Sequence, residues 1–356
     1  GIIFISMIGY LIYFDGFKSD DFINSPYNTR QDSFSDRVVR GKIMSSDGQV
    51  LAQTSVSENG TETRNYPYSN MFAHVVGYDS NGKSGLESEA NFTLLTSHSF
   101  FLTQMKNQFL EQKNTGDTVV STLNAKLQTV AYNALGDRRG AVEPSTGKRL
   151  VEVSKPDFDP NTIAQNWQTL VNDENDSSLL NRATNGAYPP GSTFKVVTAL
   201  DYFRKKGTFE GYFYQCEGSI TLEDHTIHCY HNTVHGQEDF YMAFANSCNC
   251  AFANIGVDLG GASLRNTAED LLFNKSLPLN SYRTSSFSLD KNSVTPLIMQ
   301  TAIGQGNTLV SPMHMALITS AIANGGVLMK PYVIDHVEND AGSVVKTFKP
   351  SEYKRL

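Results

Sequence analysis

The chain opens on an unbroken apolar run, Gly1 to Phe14, with no charge before Asp15. At ~1.5 Å per residue this run makes a helix of about 21 Å, short of the ~30 Å hydrocarbon layer that about 20 residues cross. Asp15-Gly16-Phe17-Lys18 offers no small-residue cleavage site. We therefore read residues 1–14 as part of a membrane anchor that begins before Gly1, and the polar residues 15–37 as a linker. From Val38 to about Val120, short apolar stretches alternate with Asp47-Gly48, Asn59-Gly60, Asn81-Gly82 and Thr115-Gly116. That is the pattern of short strands joined by turns. Leu123, Leu127, Val130, Ala131 and Ala134 then recur at helical spacing and predict a helix over 122–135, stopped by Gly136.

Beyond Gly140 the texture changes. Leu150, Val151 and Val153 predict a strand, and Pro189-Pro190-Gly191 introduces a helix over 192–206 that ends at Gly207. Its residues Phe194, Val196, Val197, Ala199, Leu200, Tyr202 and Phe203 are apolar almost all round, so burial is expected. Further apolar helices are predicted over 240–256 and 313–323, the latter ended by Gly325-Gly326. Strands early and helices late give an α+β or α/β class. A chain of 356 residues suggests two domains. A 40% hydrophobic and 18% charged composition supplies a core and excludes a disordered chain. The charge, 29 − 36 = −7, without Lys/Arg clusters, excludes a nucleic-acid binder. Four cysteines in this length are not a disulfide scaffold.

Candidate chemistry centres on Ser192-Thr-Phe-Lys195. A serine hydroxyl needs a base within hydrogen-bond reach to become a nucleophile. Residues three apart share a helix face, so the Lys195 amine can lie beside the Ser192 hydroxyl. Pro190-Gly191 places Ser192 at a helix start, where the dipole favours a developing oxyanion. Burial would lower the lysine pKa and fit it for base work. Ser247-Cys248-Asn249 follows 55 residues on, between Phe244 and Phe252. Polar groups in such an apolar setting need partners. Ser247 could relay a proton, and Asn249 could hold both Lys195 and a substrate amide.

An ordered S-x-x-K and S-x-N pair is two-thirds of the signature of penicillin-binding proteins. The chain resembles a class B penicillin-binding protein of short form, over about Val38 to Val333. Arg40-Gly41 through Asp47-Gly48 to Leu51-Ala52, Tyr66-Pro67, Val76-Gly77-Tyr78 and Gly85-Leu86-Glu87 look like motifs of the family's N-terminal domain. Pro144 to Gly147, Val153 to Pro156, Phe158 to Asn161, Asn181-Arg182-Ala183 and Tyr188 to Lys195 resemble its transpeptidase domain. Ile303-Gly304-Gln305-Gly306 and Ser311-Pro312 match later motifs. The resemblance implies a non-catalytic dimerisation or pedestal domain over 38–135 and a transpeptidase domain over 136–356. The latter would be β-lactamase-like, an antiparallel sheet flanked by helices. It implies serine acyl transfer, with Ser192 attacking D-Ala-D-Ala of a peptidoglycan stem peptide, Lys195 as base, Ser247 as proton shuttle and Asn249 binding the acyl-side amide. β-Lactams would acylate the same serine. It further implies an extracytoplasmic domain on a single-pass bacterial membrane anchor, a glycosyltransferase partner, and no cofactor.

The family's third motif, K-[ST]-G, does not occur after Gly306; Lys83-Ser84-Gly85 precedes the nucleophile, and Lys346-Thr347-Phe348 lacks the glycine. The expectation is a fragment missing its C-terminal strands. The alternatives are a catalytically incomplete sensor or scaffold, or a serine β-lactamase. The segment 140–144 is clipped by two or three residues against the family strand, and Glu152 stands where the family has an apolar residue. His225, His228, His231 and His235 cluster with Cys216 and Cys229, but at no zinc-finger spacing. The family carries a cysteine pair and a histidine here without metal. A Cys216–Cys229 disulfide is the expectation, with no metal, and with Cys248 and Cys250 as small apolar packers.

Overall fold

The computed structural model describes residues 2–17, 35–135, 147–173 and 175–356, so most of the expected linker and the clipped segment at 140–144 lie outside the described residues. The apolar run forms α1 (Ile2–Phe17), with Phe4, Ile5 and Tyr10 exposed. Among the described residues no helix is long and apolar enough to cross a membrane. The chain divides into two compact units, 1–183 with 329–352, and 184–328 with 353–356.

In the first unit three of the four turn signals mark strands and Asn81-Gly82 falls between short helices instead; the first strands are β1 (Val38–Val39), β2 (Ile43–Met44), β3 (Val50–Val56) and β4 (Glu62–Asn65). β5 (Asn114–Thr115) pairs in parallel with β1, and β6 (Thr118–Ser121) pairs in parallel with β2. One sheet runs Val344–Thr347, Ile334–Glu338, β6, β2, β3, β4. Between β4 and β5 the chain is helical, in short turns at Ala73–Val76, Gly85–Glu89 and Asn91–Leu94 and then α2 (Phe101–Phe109). Phe72, Val75, Val76, Leu86 and Leu94 bury against Ile43, Leu51 and Val119 of the strands and Leu123 just after β6. Each such side chain is worth ~1.5–3 kcal/mol on burial. Beneath them Glu87 is fully buried and accepts from Arg40 Nε at 2.6 Å and Arg64 Nε at 2.8 Å.

The helix predicted over 122–135 begins later, as α3 (Ala125–Leu135). The Asp47 carboxylate accepts from the Ala125 N–H at 2.9 Å, and the Asn124 side chain accepts from Leu127 N–H at 3.0 Å, which fixes that start. The strand predicted at 150–153 does not form a ladder. Val151 and Val153 are buried as expected, but the Gln128 side chain takes the backbone of Glu152, donating to its carbonyl at 2.7 Å and accepting its N–H at 2.9 Å. A buried amide thus replaces a neighbouring strand.

The second unit holds the apolar helices. A 3-10 turn, Gly191–Phe194, leads into α4 (Lys195–Lys206), which ends at Gly207. The strands β7 (Phe213–Cys216), β8 (Ser219–Leu222), β9 (His225–His228) and β10 (Gly236–Asp239) form two antiparallel ribbons, β7 with β10 and β8 with β9. The helix predicted over 240–256 is instead two helices, α5 (Phe240–Ala245) and α6 (Asn249–Leu259). The chain breaks at Ser247, whose φ is +52°. A left-handed residue cannot continue an α-helix. α7 (Thr295–Ala302) lies against α6, and a Cβ on Gly256 would meet the Ala302 Cβ at 2.3 Å. Glycine is therefore what allows those two helices their close approach. α8 (Pro312–Ala323) starts where Ser311 caps it. Phe194, Phe252, Phe273, Phe287 and Met299 form the centre of this unit's core.

Candidate active site

The two S-x-x-K and S-x-N segments converge in the second unit. Phe194 is fully buried and pins the turn before α4, so its neighbours are placed by the core. Ser192 is left exposed, and Lys195, one turn on, is 2% exposed. The break between α5 and α6 turns Ser247 outward and sets Asn249 at the first position of α6. The Lys195 amine then lies 3.3 Å from Ser192 Oγ, 2.9 Å from Ser247 Oγ, 2.5 Å from the Ser247 carbonyl and 2.7 Å from Asn249 Oδ1. Asn249 is oriented by its own amide, which donates to the His228 carbonyl of β9 at 2.9 Å.

These partners decide what the amine can do. A neutral amine has two N–H groups and one lone pair; a protonated one has three N–H groups. The Ser247 carbonyl and Asn249 Oδ1 can only accept, and they take two N–H groups. In the neutral amine the lone pair is what remains for the two hydroxyls, Ser192 and Ser247. No partner of Lys195 in this set is an anion. Burial therefore outweighs the upward pull of the nearby Cys248, Cys229 and Cys250 sulfurs and lowers the lysine to about 8. An amine of that pKa, beside an exposed hydroxyl, is a competent general base near neutral pH.

The reading of the sequence missed the role of Gly304. Its carbonyl accepts from the Gly191 N–H at 2.8 Å, directly before Ser192. Its φ is +77°, and a Cβ there would meet the Gly191 carbonyl oxygen at 1.9 Å. The glycine clasps the nucleophile's turn. The signal was present as Gly304-Gln305-Gly306, but nothing in the sequence says which backbone it meets.

A second cluster lies behind the site. The structure carries Cys216 and Cys229 as free thiols, 3.7 Å apart, and not as the expected disulfide. A bonded pair stands at ~2.05 Å. Cys229 is as near to Cys248, at 3.7 Å, and nearer to Cys250, at 3.4 Å, so the sulfurs share one pocket instead of forming one pair. Cys248 is more than an apolar packer, because its sulfur caps α6 by accepting from the Ala251 N–H at 3.4 Å. Of the four clustered histidines, His235 joins the sulfurs, with Nδ1 3.5 Å from Cys216, while His225 bonds Gln300 instead. Cys216, Cys229, His235 and Cys248 place their donor atoms within 4.8 Å of one another. That donor set could hold a tetrahedral ion such as zinc. Finger spacing does not describe such a set, whose members come from β7, two loops and a helix cap.

Comparison with known proteins places this geometry among relatives. Residues 140–356 match the family model described as the penicillin binding protein transpeptidase domain, and residues 40–119 match that of the penicillin binding protein A dimerisation domain. The chain is 31% identical to the peptidoglycan D,D-transpeptidase PbpA of Mycolicibacterium smegmatis, over 96% of its length and 73% of the relative's. It is 33% identical to PbpA of Mycobacterium tuberculosis, over 90% of its length and 69% of the relative's. The solved penicillin G acyl-enzyme of M. tuberculosis penicillin-binding protein A superposes with a TM-score of 0.79 at 28% identity, covering 89% of this chain and 78% of that one. The D,D-transpeptidase domain of an Eggerthella lenta peptidoglycan glycosyltransferase superposes with a TM-score of 0.78 at 30% identity, over 90% and 78%.

Proposed function

The chain belongs to the class B penicillin-binding proteins, the serine D,D-transpeptidases of peptidoglycan synthesis, and on that premise we propose that Ser192 is its acyl-accepting nucleophile. The single observation that supports the assignment is the buried Lys195 amine, held by two obligate acceptors with its lone pair left for the Ser192 and Ser247 hydroxyls. Ser192 Oγ attacks the carbonyl carbon of the D-Ala-D-Ala amide and its proton passes to Lys195. The N-terminal end of the helical segment stabilises the oxyanion that forms. The tetrahedral intermediate collapses as Ser247 relays a proton to the departing D-Ala nitrogen, breaking the C–N bond and leaving an ester on Ser192. Asn249 holds the acyl-side amide while it holds Lys195. The amine of a second stem peptide then attacks the ester, forms the cross-link and returns the proton to Ser192. A β-lactam enters by the same first step, and its ring amide opens without a leaving group.

In this reading residues 38–135 are a non-catalytic pedestal and 136–356 the transpeptidase domain. Residues 1–14 belong to a single-pass anchor of a bacterial membrane, with everything after them on the outer side. Helix α1, without a charge before Asp15 and with Phe4, Ile5 and Tyr10 exposed, supports the anchor. A glycosyltransferase partner supplies the strands to be cross-linked, because a cross-linking step consumes glycan that another activity must polymerise. The test is covalent labelling of the full-length protein by fluorescent penicillin. The wild type takes the label and Ser192→Ala does not; a labelled Ser192→Ala protein would sink the assignment.

A further inference from the structure

Helix α2 is amphipathic the wrong way round. At 100° per residue, Phe101, Met105, Phe109 and Leu102 fall on one arc, and Thr103, Asn107 and Gln104 on the opposite one. The polar arc faces the domain. Gln104 donates to the Ser99 carbonyl at 2.8 Å, and Asn107 donates to the Asn114 side chain at 2.9 Å. The apolar arc faces outward: Phe101 is 67% exposed and Phe109 88%, and α2 has no buried residue. Phe100 and Leu110 extend the same exposed surface at either end. A helix fastened to its domain by amides, with aromatic and thioether side chains turned away, gains nothing from folding onto its own core.

β5, directly after α2, pairs with β1, the first strand after the linker. The Asn114 N–H donates to the Arg37 carbonyl at 3.1 Å, and Lys113 Nζ to the Ser35 carbonyl at 2.7 Å. The end of α2 therefore sits where the chain arrives from the apolar α1. The helix itself carries one charge, Lys106 at the rim of the apolar arc, and no acid, in a chain of net charge −7. An apolar face with a cationic rim is the pattern of a helix that lies in the plane of a lipid surface.

We propose that α2 is a membrane-surface contact, with Phe101, Leu102, Met105 and Phe109 seated among acyl chains and Lys106 at the anionic headgroups. The proposal rests on the reading of residues 1–14 as part of an anchor. A helix of nine residues binds lipid weakly alone, but an anchor upstream makes its docking intramolecular and a modest affinity suffices. Docking would fix the height and tilt of the pedestal that the anchor alone leaves free.

The full chain has one tryptophan, Trp167, so a reporter is simple to place. In a Trp167→Phe background, Phe109→Trp and, as a control, Val130→Trp are reconstituted in vesicles of phosphatidylcholine and phosphatidylglycerol carrying brominated acyl chains. Val130 is 68% exposed on α3 of the same unit. The expected result is a blue-shifted indole at 109 that loses most of its emission to bromine, with the indole at 130 unquenched. Adding Phe101→Asp and Met105→Asp should abolish the quenching while the chain still floats with the vesicles. A floating chain with an unquenched indole at 109 overturns the proposal alone. So does a blue shift that depends on protein concentration and not on lipid, which would mark a second copy or a protein partner. A chain that does not float overturns the anchor reading and this proposal together.

Discussion

The two units each bury a charged centre, and they treat it in opposite ways. Glu87 in the first is completely buried, and two guanidiniums surround it. Arg40 also donates to the Asn91 side chain at 2.5 Å and to the Glu87 carbonyl at 2.6 Å, and Arg64 to the Gly41 carbonyl at 2.6 Å. Burial alone would raise the Glu87 carboxyl, but Arg64 and Arg40 outweigh it and hold it below its ordinary range. Lys195 in the second unit is nearly as buried, yet its partners are two hydroxyls, a carbonyl and an amide. There burial outweighs the opposing influence of Cys248, Cys229 and Cys250, and the amine is pushed down. A buried charge with counter-charges is inert and ties segments together. A buried charge met only by dipoles is held close to losing its proton, which is the condition of a base.

The comparison is broken most sharply by removing each charge. Lys195→Met keeps the length of the side chain and should reduce the second-order rate of penicillin acylation by ~10²–10⁴-fold, the usual contribution of a positioned base. Stability should change little, because the lost hydrogen bonds are offset by a lost desolvated cation. Stopped-flow acylation and thermal melting of the same preparation check both halves. A Lys195→Met protein that acylates within threefold of wild type would remove the amine from the mechanism.

Glu87→Gln should do the reverse. It leaves two buried guanidiniums without their anion, which costs about 3–5 kcal/mol for a broken buried pair. Denaturant melts should show that loss, while protein that remains folded should acylate at the wild-type rate. Equal stability of wild type and Glu87→Gln would show that Arg40 and Arg64 find other partners, and the contrast with Lys195 would fail.

Gly304→Ala sharpens the same contrast by moving geometry without touching charge. The added Cβ would stand 1.9 Å from the Gly191 carbonyl oxygen, at a positive φ that alanine tolerates poorly. The turn bearing Ser192 must shift, and a displacement near 1 Å at a reacting group costs about 10²-fold in rate. Acylation should fall while the Lys195 pH profile keeps its midpoint. A moved midpoint would mean that the clasp sets the amine's environment as well as the hydroxyl's position.

How far the sequence reveals these centres follows from how local each is. Ser192 and Lys195 lie one turn apart, so helical spacing alone brings them together. Ser247 and Asn249 are visible as a polar triplet in an apolar run, but periodicity predicts one helix there. The left-handed turn at Ser247 that opens the run cannot be read from hydrophobicity. Arg40 and Glu87 appear in separate motifs 47 residues apart, and the ion pair between them needs the fold. The cysteines fail the spacing rules of a finger for the same reason, since β7, the loop after β9 and the start of α6 gather them only after the two ribbons form. Gln128 standing in for a strand at Glu152 is a substitution of side chain for backbone, and no strand pattern encodes it.

The smallest effect comes from pH: both folded pKa values are lowered, so both centres add stability as pH rises, but at opposite ends of the scale. Burial lowers Lys195 to about 8 from the ordinary 10.5, so at pH 7 roughly a tenth of the molecules hold a neutral amine. Acylation per enzyme should therefore rise about tenfold from pH 7 to a plateau above pH 9, with a midpoint near 8, since kinetics on free enzyme report the pKa of its base. Stability should rise too, over a somewhat higher interval. Between about 8 and 10.5 the unfolded lysine keeps its proton and the folded one has lost it, and stability grows with pH wherever the unfolded state binds more protons. Glu87 acts at the other end. Its folded carboxyl lies below the ordinary 4.5, so its contribution is complete above that value and is lost as pH falls through the folded pKa. Lys195→Met should flatten the alkaline rise in stability and leave the acid limb intact; Glu87→Gln should weaken the acid limb and leave the alkaline rise. Melting temperature against pH for the three proteins separates the two, and an acylation profile that stays flat from pH 6 to 10 in wild type would show that the amine's proton does not limit the reaction.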